Sequence, residues 1–122
     1  MNSLRSIMAA LVVTFVAPAA PPHAALTRAE PAVGGHTATA PKVLRLWFSE
    51  APEVLFTRLA LSDSSGVAVT LGKVQKGDTK LEIRSKIAGP MHAGRYAVTW
   101  RTAAADGHAT SGTFAFTVDA SR

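Results

Sequence analysis

Two stretches near the end of the chain place large apolar side chains at every second position. Tyr96, Val98 and Trp100 alternate with Arg95, Thr99 and Arg101, and Phe114, Phe116 and Val118 alternate with Thr113 and Thr117. A period of two places every second side chain on one face of an extended strand, so these stretches read as half-buried β-strands. The same alternation runs from Val43 to Ser49, where Leu44, Leu46 and Phe48 oppose Arg45 and Ser49. Leu55, Leu59 and Leu61 share a parity, and Val67, Val69 and Leu71 follow after Asp63-Ser64-Ser65-Gly66, which reads as a hairpin. Leu81 and Ile83 mark another strand between Lys76-Gly77-Asp78 and Gly89-Pro90, and a first strand is expected near Ala25–Ala29. Turn residues recur roughly every 8–12 positions, and no segment carries a helical stripe with caps. About seven strands and no helix predict an all-β fold, an antiparallel β-sandwich with Greek-key connections. Its core is filled by inward Leu, Val, Phe and Trp side chains.

The first segment is of a different kind. A basic start at Arg5, an apolar run from Ile7 to Ala17 and an Ala/Pro tail give the layout of a secretory signal peptide over residues 1–22. The run is about half of the roughly 20 residues that span a bilayer as a helix, so removal is expected rather than anchoring. Residues 23–122 then form one small domain, soluble and without stable membrane insertion. The cell envelope of a bacterium is the natural destination. Three cleavage points within 19–24 stay open. Ala17-Pro18-Ala19 fits the small-x-small rule and leaves Ala20-Pro21-Pro22 ahead of His23. A cut directly before His23 puts Pro22 at the disfavoured last signal position, and a cut after Ala24 deletes His23.

The chain has no cysteine, which excludes a disulfide and a thiolate metal site and leaves stability to the core. Thirteen basic residues stand against eight acidic ones, a formal charge of +5 that becomes +4 once Arg5 leaves with the signal. The charges are scattered, with no basic stripe interleaved with aromatics, so nucleic-acid binding is not expected.

Asp106 and His108 flank Gly107 in the turn before the last strand. If that backbone stays extended, residues two apart project to one side, and a carboxylate and an imidazole converge. The competing reading is a solvated turn in which Asp106 bonds nearby backbone N–H groups. A labile divalent ion needs a third donor, and the N-terminal strand can bring His23. As first residue, His23 offers its α-amine as well as its ring, for three nitrogens and one carboxylate oxygen. Such a tetragonal N/O set suits Cu(II), while zinc prefers tetrahedral sites. The other two histidines carry less. His36 follows Gly34-Gly35 as an exposed loop residue, and His92 adjoins Met91, a thioether and imidazole that suit Cu(I) but lie outside this set. Trp47 and Trp100 have strand parity and read as packing.

Three stretches, His23–Ala32, Leu46–Glu50 and Ala93–Arg101, resemble segments of the CopC family of periplasmic copper-binding, copper-resistance proteins. His23-Ala24-Ala25-Leu26-Thr27-Arg28-Ala29-Glu30-Pro31-Ala32 is similar to that family's mature start, with His, a Leu three on and Pro-Ala about eight on. Leu46-Trp47-Phe48-Ser49-Glu50 is similar to its strand ending in Phe-Ser-Glu, and Ala93-Gly94-Arg95-Tyr96-Ala97-Val98-Thr99-Trp100-Arg101 to its A-G-x-Y-x-V-x-W-R strand. Asp106-Gly107-His108 and Ser111-Gly112 follow in place. The resemblance covers essentially all of the mature chain. It implies an Ig-like β-sandwich with one Cu(II) ion held by the amine and ring of His23, a carboxylate oxygen of Asp106 and the ring of His108. Glu50 then orients a ligand or water from behind, or is a surface acid at a strand end.

Two departures from the family pattern matter. Some members carry a Met-rich loop for Cu(I), but Leu61 to Val74 contains no Met or His, so a Cu(II)-only type is expected. Pro22 ahead of His23 removes the α-amine as a ligand if processing stops after Ala19. The resemblance implies a non-enzymatic periplasmic binder that sequesters, buffers or delivers copper for resistance or homeostasis, with an inner-membrane copper transporter as a recipient. Two other functions compete. A copper-dependent oxidative enzyme with an N-terminal histidine brace like that of polysaccharide monooxygenases needs an open coordination position and exposed aromatics, against which one Tyr and two Trp with strand parity and an acidic ligand filling the plane argue. A metal-free Ig-like interaction module is favoured if the mature N-terminus excludes His23.

Overall fold

The computed structural model describes residues 9–14 and 23–120. The expected signal segment therefore falls largely outside the described residues, and residues 9–14 are exposed irregular chain. Among the described residues no helix is long and apolar enough to cross a membrane.

Nine strands are formed among the described residues: β1 (Leu26–Glu30), β2 (His36–Thr37), β3 (Val43–Phe48), β4 (Arg58–Asp63), β5 (Ala68–Val69), β6 (Gln75–Lys76), β7 (Glu82–Lys86), β8 (Gly94–Ala103) and β9 (Ala109–Val118). They build a four-stranded sheet, β1-β3-β7-β6, and a five-stranded sheet, β2-β9-β8-β4-β5. All pairings are antiparallel except β2 on β9. The chain crosses between sheets after β1, β2, β3, β5 and β7, which is the Greek-key pattern of an Ig-like sandwich.

The alternation does what it predicts. Leu44, Leu46 and Phe48 of β3 face Val98, Trp100, Phe114 and Phe116 of the other sheet, and all are buried. Burying each such side chain contributes about 1.5–3 kcal/mol. Phe48 meets Trp100 edge-on at 5.2 Å, and Tyr96 stacks on Phe116 at 5.8 Å. Trp100 lies opposite Gly112 in the β8–β9 register, and a Cβ on Gly112 would stand 2.7 Å from its indole. Glycine there leaves room for the ring. Trp47 points outward, half-buried between the guanidinium groups of Arg28 and Arg45 at 4.5 and 4.8 Å.

Parity misleads at two places. Leu55 belongs not to a strand but to a single 3₁₀ turn, Val54–Phe56, and is 83% exposed. Leu81 lies outside β7 and is exposed, while its polar neighbour Glu82 is buried on the outer face. Arg45 Nε donates to Glu82 at 2.8 Å and Arg84 Nε at 3.0 Å, and the backbone N–H of Asp78 donates at 3.1 Å. These donors, led by Arg45, pull the Glu82 carboxyl down to about 2 despite its burial.

Candidate metal centre

The site forms where three segments meet at one end of the sandwich. β8 ends at Ala103 opposite Ala109, so β8 and β9 are joined by the tight turn that carries Asp106 and His108. The N–H of Gly107 donates to the carbonyl of Ala104 at 2.9 Å, and Gly107 takes φ +83, a left-handed conformation that favours glycine. The backbone is thus turned rather than extended, a correction to the geometry expected of Asp106 and His108. Both side chains nonetheless converge, because the carboxylate divides its work. Oδ1 accepts from the backbone N–H of His108 at 3.0 Å, and Oδ2 lies 3.3 Å from His108 Nδ1. Oδ1 meets the solvated-turn reading, and Oδ2 is turned toward the rings of His108 and His23.

His23 arrives from ahead of β1. Leu26 pairs with Phe48, which brings the N-terminal segment to the end of β3, beside Ser49 and Glu50. The Ser49 hydroxyl accepts from the N–H of Ala25 at 2.9 Å, and the N–H of Ser49 donates to the Ala25 carbonyl at 2.8 Å. Thr110 Oγ1 donates to the Ala24 carbonyl at 3.1 Å, which ties the segment to β9 across the sandwich. Ala24 is fully buried at φ +51, a conformation seldom adopted by a residue with a Cβ. That turn swings His23 over the loop. His23 Nδ1 then lies 3.0 Å from Asp106 Oδ2 and 3.5 Å from Glu50 Oε1, and the His23 and His108 rings are 5.1 Å apart, centroid to centroid.

One donor atom each from His23, Asp106 and His108 lies within 4.8 Å of the others. An ion with imidazole bonds of roughly 2 Å spans at most about 4 Å between opposite donors. Small side-chain rotations therefore close the set, and exposure of all three residues leaves room for them. The Asp106 carboxyl is held below its ordinary value, first by the His108 backbone N–H and then by the His108 and His23 side chains. It is thus kept anionic, the form that binds a metal. Glu50 is exposed and stands beside His23, within reach of the same ring nitrogen as Asp106.

The remaining candidates lie elsewhere. His36 sits in β2 rather than in a loop, and its Nδ1 contacts Asp119 Oδ1 at 2.9 Å. Met91 packs against the core, and the backbone N–H and carbonyl of His92 both bond the Tyr96 hydroxyl at 2.8 Å. The sequence reading missed Ser49 and Thr110, which position His23. Their partners are 24 and 86 residues away, and no local motif marks such contacts.

Comparison with known proteins agrees with this architecture. The CopC domain matches residues 26–119, and the chain belongs to the CopC family. It is 30% identical over 118 residues to Protein YobA of Escherichia coli strain K12, covering 96% of this chain and 95% of that protein. Among solved structures, CopC from Methylosinus trichosporium OB3b superposes with a TM-score of 0.73 at 28% identity, over 82% of this chain and 97% of that one. PcoC, a methionine-rich copper resistance protein from Escherichia coli, superposes with a TM-score of 0.72 at 30% identity, over 80% of this chain and 99% of that one.

Proposed function

We propose that this chain is an exported copper protein that binds one Cu(II) ion through His23, Asp106 and His108 and buffers, sequesters or delivers it in the periplasm. The observation that carries the reading is the convergence of three donors from distant segments within 4.8 Å at one end of a CopC-family sandwich. CopC proteins are copper-binding resistance proteins and not enzymes, and copper is here the cargo rather than a resident catalyst. Two imidazoles and a carboxylate are borderline-to-hard donors that favour Cu(II) over Cu(I). Leu61–Val74 offers no thioether, unlike the methionine-rich character named for PcoC.

Processing within residues 19–24 sets the strength of the site. A cut before His23 adds its α-amine to the set, and a cut after Ala19 keeps only the ring. An inner-membrane transporter is the proposed recipient. The test is titration of the exported protein with Cu(II) beside a His108→Ala variant. The expected result is one tightly bound ion in the wild type and a loss of affinity by orders of magnitude in the variant, with folding unchanged. Equal affinity in the two proteins removes His108 from the site.

A further inference from the structure

Beside the metal-site turn lies an open groove of about 400 Å³ lined by Leu55, Phe56, Arg58, Arg101, Ala103 and Gly107, among others. Two features of it are costly for an isolated domain. Arg58 and Arg101 are direct cross-strand partners in the β4–β8 register, and like charges directly opposite each other destabilise a sheet. Neither has an acidic partner within 4 Å among the described residues, and Arg58 donates only to the carbonyls of Leu55 and Thr57. Leu55 and Phe56 stand 83% and 65% exposed on the adjoining turn.

That turn is rigidly built. The N–H of Glu53 donates to the Ala103 carbonyl at 2.9 Å, and the Thr57 hydroxyl donates to the Glu53 carbonyl at 2.8 Å. The single proton of Thr57 Oγ1 is thereby used, so the buried Thr102 hydroxyl donates to it, also at 2.8 Å. Two apolar side chains are therefore held outward by a bonded scaffold, next to a pair of uncompensated guanidinium groups.

We propose that this groove is a docking site for a protein partner presenting a carboxylate side chain flanked by apolar residues. The carboxylate lies between Arg58 and Arg101, where guanidinium forks bind it and relieve their mutual repulsion. The apolar residues cover Leu55 and Phe56, a pairing of buried anchors with charged contacts usual in protein interfaces. A macromolecule is the occupant because the two apolar side chains stand proud of the surface, where a small free acid leaves them wet. Gly107 lines the same groove, so the partner sits against the turn that carries Asp106 and His108. That this contact serves metal exchange rests on the copper reading; the docking itself does not.

The test is an NMR titration of the copper-free exported protein with a short peptide carrying a central Asp-Glu pair between Leu and Phe. The peptide is N-acetylated and C-amidated so that it offers no amine chelate. The expected result is saturable amide shifts centred on Leu55, Phe56, Arg58, Arg101 and Gly107. Binding weakens by about tenfold or more, the worth of a charge-assisted contact, with the Asn-Gln form of the peptide or with Arg101→Gln protein. Phe56→Ser weakens it as well, and neither variant changes Cu(II) affinity. Equal binding of the charged and neutral peptides, or shifts centred elsewhere, overturns the proposal. So does glutarate saturating the same amides as tightly as the peptide, which makes the groove a small-acid site, or self-association through these amides, which makes its occupant a second copy. Because copper is absent, failure here leaves the metal reading standing, and failure of copper binding leaves this one standing.

Discussion

Replacing Glu82 by Gln removes the one buried charge that the outer face of the four-stranded sheet is organised around. The side chain is 1% exposed and receives Arg45, Arg84 and the Asp78 backbone, joining β3, β7 and the loop between β6 and β7. Its carboxyl falls from 4.5 to about 2 on folding. At about 1.36 kcal/mol per pH unit that difference corresponds to roughly 3 kcal/mol. The sign follows from the depressed folded value. The contribution is fully present above about pH 4.5 and is lost as pH falls through about 2. Gln keeps the volume and one acceptor but not the charge, so Glu82→Gln should lose about 3 kcal/mol at neutral pH. For a domain of this size each kcal/mol moves Tm by about 4–8 °C, giving a drop of roughly 12–24 °C. Chemical and thermal unfolding of both proteins from pH 7 to pH 2 measures the gap directly. It should narrow steadily below about pH 4.5 and close near pH 2. A gap at pH 7 under about 0.5 kcal/mol, or one that does not change with pH, refutes the ion-pair account of this face.

Gly112→Ala pushes a methyl group into the Trp100 indole at 2.7 Å and should cost about 1–3 kcal/mol as overpacking, read as a lower unfolding midpoint with altered tryptophan fluorescence. Asp106→Asn retains a side-chain oxygen for the His108 N–H but loses the anionic donor, so Cu(II) affinity should fall by about 100-fold or more while thermal stability stays within about 0.5 kcal/mol. Competition with a copper chelator measures the first quantity, and a thermal melt the second.

The long strands were legible because alternation over six to ten residues leaves no other solution: β3, β8 and β9 stand where Leu44–Phe48, Tyr96–Trp100 and Phe114–Val118 announce them. The two-residue strands β2, β5 and β6 were not, since two residues carry no period and owe their pairing to neighbours distant in sequence. Leu55 matched the parity of Leu59 and Leu61 by coincidence, being displaced into a 3₁₀ turn that starts after Glu53. Burial of Glu82 in place of Leu81 was hidden because its leading compensating charge, Arg45, comes from β3, 37 residues away. At the candidate site the donor set rests on the family resemblance, since Asp106-Gly107-His108 by itself reads equally as a solvated turn. The route by which the donors meet was not legible: an extended Asp106–His108 segment was expected, and a turned one performs the same convergence by splitting the carboxylate.

Native mass spectrometry of the exported protein with Cu(II), run beside His108→Ala, tests the central claim most directly because one spectrum reports both the N-terminus and the bound ion. The account predicts a chain that retains His23 and carries one copper ion, with the ion lost from the variant. A chain that begins after His23, or a wild type that retains no more copper than His108→Ala, contradicts it.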